Sequence, residues 1–402
     1  ALRVLCVQSD LADRLVEMLE GAMRELTIGD TRALAVDVGP VIDEDARAGI
    51  ERHIEAMRSR GRRVVRHGVD SVATKHGNFV PPAVIEIERL AELEREVFGP
   101  VLHVLRYRRG ALPALLEQIN DTGYGLTLGV HTRIDETVVQ VVDTVHAGNV
   151  YVNRNVVGAV VGVQPFGGEG LSGTGPKAGG PLYVLRLLSR RPDDAARGAA
   201  ALAGTMAVPP MRGLAATSAV VDPGLRAFQA WAAQSGQEVL AAHAERCAAV
   251  SPVCGWRTLP GPTGEANLYA MVPREAVLGL ADDPGDLLLQ LAAVLAVGSR
   301  ALWPATARAL WQRLPHEARD RVALVDDWRH DAIAFDAVLH HGDATSLLAA
   351  CVDVAARPGP IVGITAMAAG SVDIPVERLV VERSLSINTA AAGGNASLMT
   401  MG

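Results

Sequence analysis

Residues 147–180 read AGNVYVNRNVVGAVVGVQPFGGEGLSGTGPKAGG. NVYVN (149–153) is a short β-branched and aromatic run of strand type. From residue 158 the string turns into a long loop with clustered glycines, few charges and one large apolar side chain, Phe166. Glycine-rich loops expose backbone N–H groups, which can hold a carboxylate or a phosphate without adding a titrating charge. A glycine-rich loop with a purely structural role is the other reading. A strand feeding such a loop fits an α/β protein whose site lies on irregular backbone.

Outward from this string the same rhythm continues. Upstream, Asp135 is expected to cap a helix with Val138, Val142 and Val145 inward and Gly148 beyond its end. Residues 111–119 read as a short helix ending at the turn NDTGYG, and VLHVLRY (101–107) as a strand. A helix from about Asp43 places Ala46, Ile50, Ile54 and Met57 on one side and stops near Gly61; another over 9–26 places Leu11, Leu15, Leu19, Ala22 and Leu26 on one face. Downstream, LYVLRLL (182–188) reads as a strand. An Ala/Pro/Gly/Arg-rich linker is expected at 191–214. NLYAMV, RVALV, AVLHHG and PIVGIT then supply strands of a second α/β region. Strands alternating with helices imply a largely parallel sheet.

Two shorter motifs flank the loop. EVFGP (96–100) can aim a carboxylate at a sugar diol, with Gly-Pro fixing the backbone behind it; a surface Glu before a turn is the plain alternative. YGLT (124–127) is a tight turn that delivers Leu126 into a pocket, or simply a turn with a core leucine. In this order and at these separations, EVFGP, N-x-T-x-Y-G-L-T and G-N-V-Y-V-N…Q-P-F-G-G-x-G-x-S-G resemble the aldehyde dehydrogenase superfamily. NVVGAVVGVQPFGG and GTGPKAGGP narrow the resemblance to the L-glutamate γ-semialdehyde dehydrogenases of the proline utilization A type.

The resemblance implies an aldehyde dehydrogenase catalytic-domain fold over 1–190 and a Rossmann-like α/β domain over 215–402 with a terminal tail motif. It implies NAD as cofactor, with Glu96 hydrogen-bonding the nicotinamide ribose and Phe98 and Leu126 beside the nicotinamide. Gly158 and Ala159 would offer N–H groups to the substrate α-carboxylate, and Phe166 would wall the aldehyde's aliphatic part. The family pattern around the nucleophile is C-S-A-x-R, and this chain opens A-L-R. The resemblance therefore places the nucleophilic Cys, the general-base Glu, the oxyanion Asn and the first glycine-rich nucleotide turn ahead of Ala1. Opening within a strand, without Met, fits a fragment. No catalytic residue is then expected within the chain, and Cys6 is expected in the core. The expected partners are the aldehyde, the chain's own upstream domains and further copies in a homo-oligomer. FAD would belong only to an upstream proline dehydrogenase domain, and DNA only to an upstream DNA-binding domain.

Composition sets bounds. The 402 residues carry a net charge of −7 and a mean hydropathy of +0.19, which argues against a nucleic-acid surface. RSRGRRVVRHG (58–68) reads as a solvated face and LLLQLAAVLAV (287–297) as a buried helix, too short to span a bilayer. Cys6, Cys247, Cys254 and Cys351 lack paired spacing and are expected to be free, buried thiols of a cytoplasmic protein, or of one held peripherally at the inner membrane by upstream domains. His340 and His341 point to opposite faces of a strand, a poor metal site, so no metal is expected. LAAVLAVGSRALWPA (291–305) is similar to A-x-x-x-G-N-x-x-V-x-K-P, but Trp303 stands at the Lys that meets the adenosine ribose, so the second half is expected not to bind NAD. Its role by resemblance is to cover the active site, and SLSINTAAAGGNASLMTMG (384–402) is expected to pack near the 158–168 loop. A non-catalytic assembly or lid module, and an aldehyde dehydrogenase of another substrate, are the alternatives.

Overall fold

The computed structural model describes residues 2–68, 76–161, 163–192, 195–202, 205–206, 214 and 222–389. The chain divides into two units, Ala1–Thr122 and Gly123–Gly402. The first contains β1 (Val4–Gln8), α1 (Ser9–Glu25), α2 (Glu44–Ser59), β2 (Val64–Arg66), β3 (Ala83–Ile87), β4 (Val101–Tyr107) and α3 (Leu112–Asp121). Its sheet runs β1-β4-β3-β2, parallel except for β2 against β3. Helix α2 starts as expected: the Asp43 side chain accepts from Ala46 N at 2.8 Å. Ile50, Ile54 and Met57 then enter a core with Ile85, Val101 and Leu105.

Helix α1 departs from expectation. Ala12 and Val16 are its buried residues, whereas Leu11 is 60% exposed. The sheet face it covers is formed by Val7, Val84 and Val104, and small side chains allow close helix–sheet approach. Leu15 and Met23 pack at the margin.

The second unit begins with β5 (Tyr124–Gly125), β6 (Thr127–Val130), α4 (Asp135–Thr144), β7 (Asn149–Val152) and β8 (Glu169–Gly170). Asp135 is the first helical residue of α4, not its cap; Ile134 holds the cap position without a side-chain bond. The supposed strand 182–188 contains a single 3-10 turn at Val184–Arg186, with Leu187 72% exposed. The stretch expected as a linker holds α5 (Ala195–Leu202) and β9 (Thr205–Met206), and Ala195, Ala199 and Leu214 are buried.

There follow α6 (Pro223–Gln234), α7 (Glu238–Val250), β10 (Cys254–Leu259), β11 (Glu265–Pro273), β12 (Ala276–Ala281), α8 (Pro284–Val297), β13 (Arg300–Pro304), α9 (Arg308–Trp311), α10 (His316–Arg319), β14 (Val322–Val325), β15 (Ala337–His341), α11 (Ala344–Ala355), β16 (Gly363–Met367) and β17 (Val380–Asn388). Five parallel strands run β14-β13-β12-β15-β16, a doubly wound order in which the first strand is central. Helix α8 is apolar all round and almost wholly buried. Asp283 caps it, Pro284 starts it, and Gly298 ends it at φ +83°.

The other large sheet runs β6-β7-β17-β11-β10-β9. Its β6, β7 and β17 are parallel, and β17-β11-β10-β9 are antiparallel. NLYAMV, expected in a parallel repeat, lies here as β11. Strand β17, from near the chain end, joins Asn149–Val152 to the C-terminal strands: Ser384 pairs with Asn149, and Ile387 with Val152. The mixed α/β architecture follows the expected class. Among the described residues, no helix is long and apolar enough to cross a membrane.

Candidate functional site

In the first unit, Glu96 and Phe98 sit on the irregular stretch ahead of β4. Arg3, which precedes β1, organises them. Its Nε donates to Glu96 Oε1 at 3.0 Å, its Nη1 donates to Gly99 O at 3.1 Å, and its guanidinium lies 4.3 Å from the Phe98 ring centroid. The Glu96 carboxylate is half exposed and Phe98 is 75% exposed. An acceptor and an apolar ring therefore stand side by side at the surface of this unit. The sequence marked Arg3 only as the Arg of the A-L-R opening; its contacts with residues 96–99 show what it holds.

Beneath this stretch, His103 Nε2 lies 2.8 Å from His53 Nε2, and its Nδ1 lies 3.3 Å from Arg3 O. A carbonyl can only accept, so His103 Nδ1 carries the proton and Nε2 receives one from His53. Burial, and then the neighbouring His53, depress His103 to about 4.

Cys6 is on β1. Burial pushes its thiol up to about 11, the opposite of what a nucleophilic thiolate requires. Cys247 is likewise pushed up to about 12. Cys254 is buried as expected, but Cys351 is exposed. RSRGRRVVRHG is not a free solvated face. Arg62 pairs with Glu88 and Glu92, Arg63 with Glu20 and Glu86, and Arg66 with Glu51; the Arg66 side chain is only 8% exposed.

In the second unit, Leu126 is 40% exposed between β5 and β6, neither core nor enclosed. Gly158 takes φ +74°, a left-handed conformation natural to glycine, with open space where a side chain would be. Among the described residues, no acceptor takes the N–H of Gly158 or Ala159. Phe166 is half-buried and bridges to Ala178, with Phe166 N donating to Ala178 O at 3.0 Å and Ala178 N to Phe166 O at 2.9 Å.

Lys177 ties the base of this loop. Its Nζ donates to Gly148 O at 2.7 Å, Asn149 Oδ1 at 3.0 Å and Gly167 O at 2.5 Å. Burial lowers its pKa to about 8 against the opposing pull of Glu382 and Glu169. The Lys177 backbone N–H donates to Glu382, which also accepts from Tyr269 OH. The lone Lys in GPKAGG was the available signal, and it passed as part of a glycine string.

The five-stranded parallel sheet places carboxylates where the pyrophosphate of a dinucleotide would lie. Such folds place a pyrophosphate at a helix N-terminus. At the start of α8, Asp283 already accepts from Gly285 N, and Asp286 accepts from Gly370 N at 2.9 Å. Trp303 is fully buried. His341 bonds to Gln290 Nε2 and Ser371 O, each at 2.9 Å. Among the described residues, no three His, Cys, Asp or Glu side chains could hold a metal ion together.

Comparison with known proteins bears on these features. Residues 1–190 match the aldehyde dehydrogenase family. Along its whole length the chain is 54% identical to the bifunctional protein PutA of Escherichia coli (strain K12), of which it spans 30%. The chain is also similar to the 1-pyrroline-5-carboxylate dehydrogenase of Bacillus subtilis (strain 168), at 35% identity over 44% of this chain and 34% of that protein. The solved structure of proline utilization A from Corynebacterium freiburgense matches 96% of this chain and 35% of its own, with a TM-score of 0.63 at 20% identity; that match concerns the fold.

Proposed function

We propose that this chain is the C-terminal part of an NAD-dependent L-glutamate γ-semialdehyde dehydrogenase of the proline utilization A type. The observation carrying this reading is the whole-length similarity to a bifunctional PutA protein, together with the N–H groups of Gly158 and Ala159 on a loop fixed at its base by Lys177. An amino-acid aldehyde needs an anion anchor away from its reactive carbon, and backbone amides supply one.

NAD, when bound, supplies the hydride acceptor. Glu96 and Phe98 fit one edge of it: the half-exposed carboxylate accepts from ribose hydroxyls, and the exposed ring offers an apolar face. Leu126 is the third residue proposed for the cofactor. Gly158 and Ala159 hold the α-carboxylate, and Phe166 lines the aliphatic part. A Cys thiolate preceding Ala1 adds to the aldehyde carbon; after hydride departs, water releases glutamate. In the complete protein, FAD would serve an upstream proline dehydrogenase domain, DNA would meet only an upstream DNA-binding domain, and homo-oligomers are expected.

The second half fits a non-catalytic assembly or lid role. Its β17 lies directly beside β7, and its α8 N-terminus is occupied by carboxylates. The two readings are compatible, but they predict different activities for the isolated chain. The full-length protein should produce NADH from γ-semialdehyde, and the 402-residue chain should produce none. NADH production by the isolated chain that disappears in Cys6→Ser would refute the upstream nucleophile. A full-length enzyme that prefers an aldehyde without an α-carboxylate would refute the substrate.

A further inference from the structure

The loop carrying Gly158 and Ala159 leaves β7 at Arg154 and returns at Gln164, and both ends meet one carboxylate. Arg154 Nη1 donates to Glu265 Oε2 at 2.7 Å, and Gln164 Nε2 donates to Glu265 Oε1. Glu265 opens β11, more than a hundred positions along the chain from the loop. Gln164 Nε2 also reaches Asn267 Oδ1 at 3.0 Å and Ser386 Oγ at 3.3 Å, and Arg154 donates to Ser386 Oγ at 2.8 Å. Gln164 in turn grips the loop interior: its Oε1 accepts from Val160 N at 3.2 Å, and its own N–H donates to Val160 O at 3.0 Å. The Arg154 and Glu265 side chains are only 14% and 18% exposed, so this pair is screened less than a surface pair.

We infer that Glu265 is a positioning residue for the aldehyde. Its carboxylate staples the two ends of the 154–164 loop, so that the N–H groups of Gly158 and Ala159 stay aimed at an incoming carboxylate. This role rests on the proposed use of that loop as the substrate anchor. An anion site made of backbone amides acts through preorganisation of those amides. Without Glu265 the mostly buried Arg154 guanidinium keeps, among the described residues, the Ser386 hydroxyl and the Tyr151 ring, 5.1 Å away. It would turn towards water and take its end of the loop with it. A merely structural ion pair would instead change stability and leave aldehyde affinity alone.

The test uses the full-length protein as Glu265→Ala and Glu265→Gln. Gln keeps the side chain's length and one acceptor while removing the charge, so it carries the test if the Ala variant does not fold. The aldehyde KM should rise about tenfold in Glu265→Ala and less in Glu265→Gln, with kcat and the NAD KM within about twofold. Amide hydrogen exchange over 155–161 should quicken in both variants. Unchanged exchange there overturns the staple. Faster exchange with an unchanged aldehyde KM overturns its part in substrate binding. If the unmodified protein does not oxidise the semialdehyde, the proposed function fails, and the exchange measurement still decides whether Glu265 holds the loop.

Discussion

At the level of single residues, the chain sets charged groups to hold irregular backbone. Lys177 places three donors on three acceptors around the base of the glycine loop, and Arg3 holds both the carboxylate and a carbonyl of the EVFGP stretch. Arg3 and the proposed ribose hydroxyls compete for the same Glu96 oxygens. Because Arg3 engages Oε1 through its Nε, Oε2 is the atom left for the proposed ribose contact. In the complete enzyme, Glu96→Ala should raise the NAD KM and leave the aldehyde KM nearly unchanged. A lost charge-assisted hydrogen bond is worth roughly 1.5–3 kcal/mol, about tenfold or more in NAD affinity. Steady-state kinetics with each substrate varied in turn provide the measurement; an unchanged NAD KM with unchanged turnover would remove Glu96 from the ribose.

Among the elements, those defined by local chemistry were legible and those defined by distant pairing were not. Helix α8 carries its own start and stop in Asp283, Pro284 and Gly298, and β4 was read at its full length of seven residues. The LYVLRLL run looked like a strand because it is largely apolar, but among the described residues no strand pairs with it, and Tyr183, Val184, Leu187 and Leu188 are exposed. The insertion of β17 between β7 and β11 was invisible because nothing near residue 149 encodes a partner near residue 384. The same insertion refines the expectation for the tail. Residues 384–388 do lie against the loop, with Ser384 Oγ donating to Pro165 O at 2.8 Å; residues 390–402 lie outside the described chain. Leu385 and Ile387 are each 1% exposed, and losing a buried aliphatic side chain costs about 2–5 kcal/mol. Deleting 385–402 should therefore lower the melting temperature sharply, and deleting 390–402 should impair the dehydrogenase. Full dehydrogenase activity after the shorter deletion would leave the tail without a lid role, and an unaltered melt after the longer one would contradict the buried strand.

For the molecule as a whole, each unit buries a histidine in a protonation state that acid must overturn. His103 in the first unit and His243 in the second are both depressed from 6.5 to about 4, with burial the main cause. The tautomer at His243 is fixed by its partners. Nε2 lies 3.1 Å from Leu289 O, which can only accept, so Nε2 carries the proton; Nδ1 faces Arg246 Nη2 at 3.1 Å, which can only donate. A second proton on Nδ1 would set two donors against each other. The sign follows from proton uptake. Above pH 6.5 the folded and unfolded chains are both neutral at these sites, and their contribution is constant. As pH falls from 6.5 towards 4 the unfolded chain takes up protons that the folded chain refuses, so stability is lost; below about 4 the loss levels off. A shift of this size corresponds to about 3 kcal/mol per site. The paired carboxylates Glu86 and Glu92 are held below their ordinary 4.5, so their contribution fades only at lower pH. Burial raises the carboxyls of Glu377 and Glu382, which work in the opposite sense, so the histidine contribution is read from a variant over pH 7 to 5. Denaturant unfolding of the chain at half-unit pH steps gives the slope over this range. His243→Gln keeps a donor and an acceptor but cannot titrate, so its slope should be shallower by close to one proton. Parallel slopes for the variant and the unaltered chain would mean that His243 takes up its proton at the same pH in the folded as in the unfolded chain, with Arg246 turned away from it.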